Sequence, residues 1–204
     1  ACARAPEGVT NPEEAVQQGV TTAVAAVAPA VAPVNAQAQA AFDAARDHLR
    51  AGRMAEAERA FRDVIARYPE LGGAHANLGL MLRNAGKHDE SIAALERAVQ
   101  ASPKQPVFHN QLGVSYRHKG QFNKAREAYE QAIVLDDNYA DAHLNLGVLL
   151  DLYIGDNTLA LQHYERYLAL SPAGDAAVGK WVADLRNRKP SSVAQADIKV
   201  SKKE

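Results

Sequence analysis

The sequence predicts an all-α protein: a solenoid of four stacked helix-turn-helix units, closed by a C-terminal helix. Three observations predict it. The peptide AHANLG at 74–79 returns as FHNQLG at 108–113 and as AHLNLG at 142–147, a step of 34 residues. Within each step, apolar residues recur at helical spacing, break at a glycine and resume. After the last step, one further amphipathic stretch follows. A fixed period of this length signals supersecondary units that bury their apolar faces only against their neighbours.

The register holds across the unit. Gly79, Gly113 and Gly147 keep the step, and so do His75, His109 and His143. Gly52, Gly86 and Gly120 follow it, as do Ala57, Ser91 and Ala125, then Phe61, Leu95 and Tyr129, with Pro69 and Pro103 at unit ends. In the last unit the later positions lag by one residue, at Gly155, Ala160, Tyr164 and Pro172, which places a single insertion near Tyr153 to Asp156.

In residues 73–106, Leu78, Leu82 and Ala85 mark a first helix and Ile92, Leu95 and Val99 a second, with Gly86 between them. Gly86 suits the left-handed residue that ends a helix, and Pro103 stops the next because proline lacks the donor to continue it. Gly79 and Ala98 are small enough for two helices to pack with axes roughly 8–10 Å apart.

These positions resemble the tetratricopeptide repeat (TPR) family, whose small, glycine, aromatic and alanine sites are matched in the third unit by Leu112, Gly113, Tyr116, Ala125, Tyr129 and Ala132. The resemblance implies a right-handed solenoid with repeats at 39–72, 73–106, 107–140 and 141–175, the last carrying the insertion. The first is degenerate, with Ala45 at the glycine site and Val64 at the small site. Residues 175–189 place Val178, Trp181, Val182 and Leu185 on one face, as a capping helix does.

Composition limits the partners. With 23 basic and 24 acidic residues the formal charge is −1. The basic residues are interleaved with acids, unlike the one-sided basic patch that marks nucleic-acid binding. No run reaches the ~20 apolar residues of a membrane span. The tail over 190–204 is small, polar and mildly basic, the composition of a disordered end.

Residues 1–38 read as a tether, with a short helix over 12–28 begun by Asn11, Pro12, Glu13 and Glu14 and ended at Pro29. Cys2 is the only cysteine, so no disulfide forms within the chain. Following Ala1, it is similar to the acylated cysteine of bacterial lipoproteins. That resemblance implies a lipid anchor and, with Ala3 next, the outer membrane; a free thiol on a cytoplasmic protein is the alternative.

No phosphate loop, nucleophile elbow or ligand-spaced Cys/His cluster is present in the sequence. The histidine column cannot hold a single zinc. Ligands lie about 2 Å from the ion, whereas stacked repeats stand at least roughly 8 Å apart. The sequence therefore predicts no metal, no cofactor and no enzyme, and assigns these histidines to packing between helices.

The resemblance instead implies a concave groove lined by the first helix of each repeat. It assigns Arg46 and Arg50 of the first unit, Asn77, Arg83 and Asn84 of the second, Asn110, Gln111 and Arg117 of the third, and Asp141, Asn145 and Asp151 of the fourth. In such arrays Asn77, Gln111 and Asn145 would bond a ligand backbone, since amides satisfy donors and acceptors alike. Arg46, Arg83 and Arg117 would meet carboxylates, and Asp141 and Asp151 make the far end acidic. Arg83 and Arg117 are expected to be exposed. The inward positions carry no lysine, against a two-carboxylate clamp for chaperone C-termini. The plan is similar to TPR pilotins, which escort secretin subunits of type IV or tight-adherence pili. A TonB/ExbB-type energy-transducing complex and a cell-wall enzyme are the alternative partners.

Overall fold

The computed structural model describes residues 36–171 and 174–188. The tether, Cys2 and the short helix expected over 12–28, together with the polar tail, lie outside the described residues. Nine α-helices run in pairs among the described residues. They are α1 (Ala36–Arg50) and α2 (Met54–Arg67), α3 (Gly72–Asn84) and α4 (His88–Ala101), α5 (Pro106–His118) and α6 (Phe122–Leu135), α7 (Ala140–Leu149) and α8 (Asn157–Leu170), then α9 (Ala176–Asn187). Each helix packs on the next, and the first helices α3, α5 and α7 also touch in series.

Two sequence signals set the pair geometry. Gly86 takes φ +74°, and the Lys87 amide reaches back to the Leu82 carbonyl at 2.9 Å. This left-handed turn satisfies the carbonyls at the end of α3 and starts α4. Ala85, placed by periodicity on the apolar face of α3, is its exposed C-cap residue. The second signal is close approach. A Cβ on Gly113 would lie 2.6 Å from the Tyr129 ring, and one on Gly147 would lie 2.7 Å from the Tyr164 ring. Both tyrosines are fully buried, so the missing side chain is what seats the ring of the second helix against the first.

The core is two apolar clusters. One gathers α1 and α2 with one face of α3, around Phe42, Phe61, Val64 and Leu78. The other runs from the second unit to the cap through Leu95, Tyr129, Leu146 and Tyr164. Helix α9 closes that end with Val178, Trp181, Val182 and Leu185 buried, and the Trp181 ring lies 5.6 Å from that of Tyr164. Asp175 caps it by accepting from the Ala177 and Val178 amides.

The inserted residue appears as a π-helical turn, Leu150–Ile154, continuing α7. The Gly155 amide bonds the Leu150 carbonyl at 2.8 Å, five residues back, and Gly155 at φ +83° then ends the helix. One extra residue is absorbed as one wide turn.

Candidate functional site

The first helices α1, α3, α5 and α7 carry the predicted groove residues, and the structure divides them into two sets. Asn77, Arg83, Asn110, Gln111, Arg117 and Asn145 are buried. The expectation that Arg83 and Arg117 are exposed is therefore wrong, since they retain 6% and 3% of their accessible surface. The reason is packing between first helices, since α3, α5 and α7 touch in series. The inner helices of a superhelical stack lie close together, so an inward position on one is covered by the next.

Burial forces these polar groups to bond each other. Arg83 donates through Nη2 to the Gln111 Oε1 at 2.9 Å and through Nη1 to the Gln111 carbonyl at 3.2 Å, joining α3 to α5. Asn145 Nδ2 donates to Asn110 Oδ1 at 3.0 Å, joining α7 to α5, and Asn110 Nδ2 in turn reaches the Tyr139 hydroxyl. Asn77 donates to the Gly73 carbonyl of its own helix at 2.7 Å. Arg117 lies beside the buried Tyr129 hydroxyl. Burial pulls the Arg83 guanidinium down to about 10; Tyr129 opposes the shift and the like charge of Arg117 adds to it. Of the amides expected to meet a ligand backbone, Gln111 and Asn145 thus hold repeats together, while Asn77 bonds within its own helix.

The acidic end also differs. Asp141 is exposed at the start of α7. The side chain of Asp151 is 3% exposed and is covered by Arg188, whose Nη1 stands 2.8 Å from its Oδ1. Burial raises the Asp151 carboxyl and Arg188 counters it. Asp151 therefore fastens the π turn to the end of α9.

The predicted residues that do come together in the open are Arg46, Arg50 and Asn84. With Leu49, Met54, Ala55, Glu58, Leu80, Met81 and Ala85 they line a pocket of 680 Å³ at the amino-terminal end of the solenoid. It lies where the end of α1, the start of α2 and the end of α3 meet. Met54 is 56% exposed there, and the other lining side chains are mostly apolar. The sequence reading missed the second-helix contributors Met54, Ala55 and Glu58, because it confined the groove to first helices. An exposed methionine just after a turn glycine was the available signal.

The histidine column has a role that periodicity alone does not show. The Nε2 of His75, His109 and His143 lies 2.9, 2.8 and 3.1 Å from the carbonyls of Pro69, Pro103 and Asp137. A carbonyl only accepts, so Nε2 carries the proton in each. Each ring ties its repeat to the loop that ends the preceding one. Among the described residues no group of three or more His, Cys, Asp or Glu side chains is placed to hold a metal ion.

Comparison with known proteins agrees with this architecture. The tetratricopeptide repeat family matches residues 42–106, and a second TPR repeat description matches 113–152. The chain is a tetratricopeptide repeat protein. Its fold is similar to that in a crystal structure of MamA protein, with 24% identity, 66% of this chain and 73% of that one covered, and a TM-score of 0.60. A MamA fragment from Desulfovibrio magneticus RS-1 covers 81% of this TPR chain and 88% of its own, at 21% identity and TM-score 0.60. The first TPR of Spaghetti (RPAP3), bound to the HSP90 peptide SRMEEVD, covers 56% of this chain and 90% of its own, at 22% identity and TM-score 0.53. No curated protein matches in sequence. At these identities the solved structures speak to the fold alone.

Proposed function

We propose that this TPR protein is a non-catalytic binding scaffold at the periplasmic face of a bacterial outer membrane, tied there by an acyl group on Cys2. It holds a protein partner of an assembling envelope machine, in the manner of a pilotin for a type IV or tight-adherence pilus secretin. The observation that carries the scaffold reading is the open 680 Å³ pocket on a stack in which Arg83 bonds Gln111 and Asn145 bonds Asn110. A stack of repeats offers extended surface for recognition. The RPAP3 domain, of the same fold, takes a peptide. The envelope part of the reading is supported by Cys2 as the chain's one thiol and by the spacer composition that follows it.

The test is the intact mass of the native protein recovered from membranes, with crosslinked partners identified from the same preparation. An acylated Cys2 and a crosslinked secretin are the expected results. An unmodified chain in the soluble fraction removes the envelope reading. A TonB or ExbB homologue, or a cell-wall enzyme, in place of the secretin changes the machine while keeping the scaffold.

A further inference from the structure

We infer that the pocket between α1, α2 and α3 receives a partner segment bearing a bulky apolar side chain flanked by carboxylates. This deepens the scaffold reading and rests on it. The chain contains two methionines, Met54 and Met81, and both line this pocket. Methionine is flexible and polarisable, so it moulds to an inserted apolar group, and exposed methionines favour adaptable binding surfaces. Leu49 and Leu80 complete the apolar wall. The volume falls within the ~300–1,000 Å³ usual for binding clefts.

The charge at the rim is directional. Arg46 and Arg50 are one helical turn apart and share a face of α1. Their acidic neighbours are exposed: Arg50 lies 2.7 Å from Asp47 and Arg46 3.8 Å from Asp43. The Arg50–Asp47 pair is exposed and contributes little, so an incoming carboxylate can replace it; the Arg46 side chain is mostly covered, its guanidinium 5.7 Å from the centre of the Phe42 ring. The single acid of the lining, Glu58, is already held by Arg62 at 2.8 Å. The rim thus carries two cations whose present partners are Asp43 and Asp47, and an acid paired with Arg62, with the Asn84 amide beside them for a backbone group.

The opening has a structural cause. Counting in steps of 34, Leu49 stands where Arg83 stands in the second unit and Arg117 in the third. Arg83 bonds across to the next repeat, whereas an apolar side chain at that position forms no polar link across. The joint that closes the inner units is absent in the first, and its apolar wall is left for another molecule.

The two methyl groups are also the probes. The full chain is labelled with ¹³C-methyl methionine and titrated with a short blocked peptide alternating Leu or Phe with Asp or Glu, then with the same peptide carrying Lys in place of the acids. Both methyl resonances should move saturably with the acidic peptide, and the basic one should bind on the order of tenfold more weakly. The double variant Arg46→Glu, Arg50→Glu should reverse that preference while its circular dichroism stays unchanged. Absent shifts with either peptide, or equal affinity for both, overturn the inference. So do methyl shifts that follow the protein's own concentration, which would seat a second copy, and shifts on Val20→Asp, Val24→Asp, Val27→Asp in the peptide-free chain, which would seat its own amino-terminal segment. If these titrations fail while native crosslinking still captures a partner, the scaffold reading stands and its contact lies elsewhere.

Discussion

Arg83→Glu separates a groove-lining arginine from a structural one. An exposed arginine facing a ligand could be reversed in charge within about 0.5 kcal/mol of wild-type stability. In the structure Arg83 is buried and makes two charge-assisted bonds to Gln111. Hydrogen bonds to a charged group contribute about 1.5–3 kcal/mol each. Glutamate cannot donate to the two Gln111 oxygens and would bury an acid whose nearest cation, Arg117, is already turned to Tyr129, so a loss of about 3–5 kcal/mol is expected. Arg83→Met keeps most of the stem and leaves only the Gln111 oxygens unsatisfied, for a smaller loss of about 1–3 kcal/mol. Urea denaturation followed by circular dichroism at 222 nm reads both, and the slope must be compared because repeat stacks can unfold in parts. A slope that changes with the loss places the uncoupling at the α3–α5 joint. Wild-type midpoints for the glutamate variant would refute the burial of this column and restore the open groove.

Two further outcomes follow from packing and protonation. Gly113→Ala puts a Cβ 2.6 Å from the buried Tyr129 ring; overpacking should cost about 1–3 kcal/mol, only partly offset by the ~1 kcal/mol gain in helix propensity. Gly179→Ala in α9, with nothing within 4 Å of the new carbon, should be neutral or stabilising in the same urea denaturation, and equal effects at both sites would contradict the close approach. The second outcome concerns the His143 and His163 Nδ1 atoms, 3.0 Å apart. Since His143 Nε2 donates to the Asp137 carbonyl, its Nδ1 accepts from His163, and burial, then the neighbouring His143, holds His163 down at about 4. The unfolded chain takes up this proton near the ordinary value of about 6.5, so stability is full above that pH and falls as the pH drops toward 4. His163 is partly exposed, which reduces the effect to about 1 kcal/mol. Urea midpoints at pH 7.5 and 5 should differ in wild type and converge in His163→Gln; an unchanged pH slope in the variant would remove the pair as its source.

The fold was legible because its determinants are local and repeated. Gly86 and Gly120 mark turns by what only their backbone does easily, and Gly113 and Gly147 mark close approach by what they lack. The face of α9 was equally readable, since Val178, Trp181, Val182 and Leu185 fall at helical spacing and all are buried. The site was less legible because exposure is not a local property. The distance from α3 to α5 is set by the stack, and it decides that Arg83 is a joint where a lone repeat would show it to water. Arg46, Arg50 and Asn84 line the open pocket between α1, α2 and α3, where Leu49 stands in place of the arginine that ties the second unit to the third. Met54 starts a second helix, outside the first helices to which the family resemblance assigns a groove.

The column occupied by Leu49, Arg83, Arg117 and Asp151 shows how one repeated position can both join and expose. Arg83 crosses to the third unit, and Asp151 reaches the helix that ends the stack. A buried carboxylate needs a partner, and Asp151 sits in the π turn made by the inserted residue, close enough to α9 for Arg188 to supply it. The insertion and the change from arginine to aspartate are therefore linked: the last unit meets a cap and not another repeat, so its joint has the opposite charge. At the other end the column begins with an apolar residue and no joint. The pocket between α1, α2 and α3 is lined there by Leu49 with no polar link across it, which is why the proposed recognition falls at this end and not in the middle of the array.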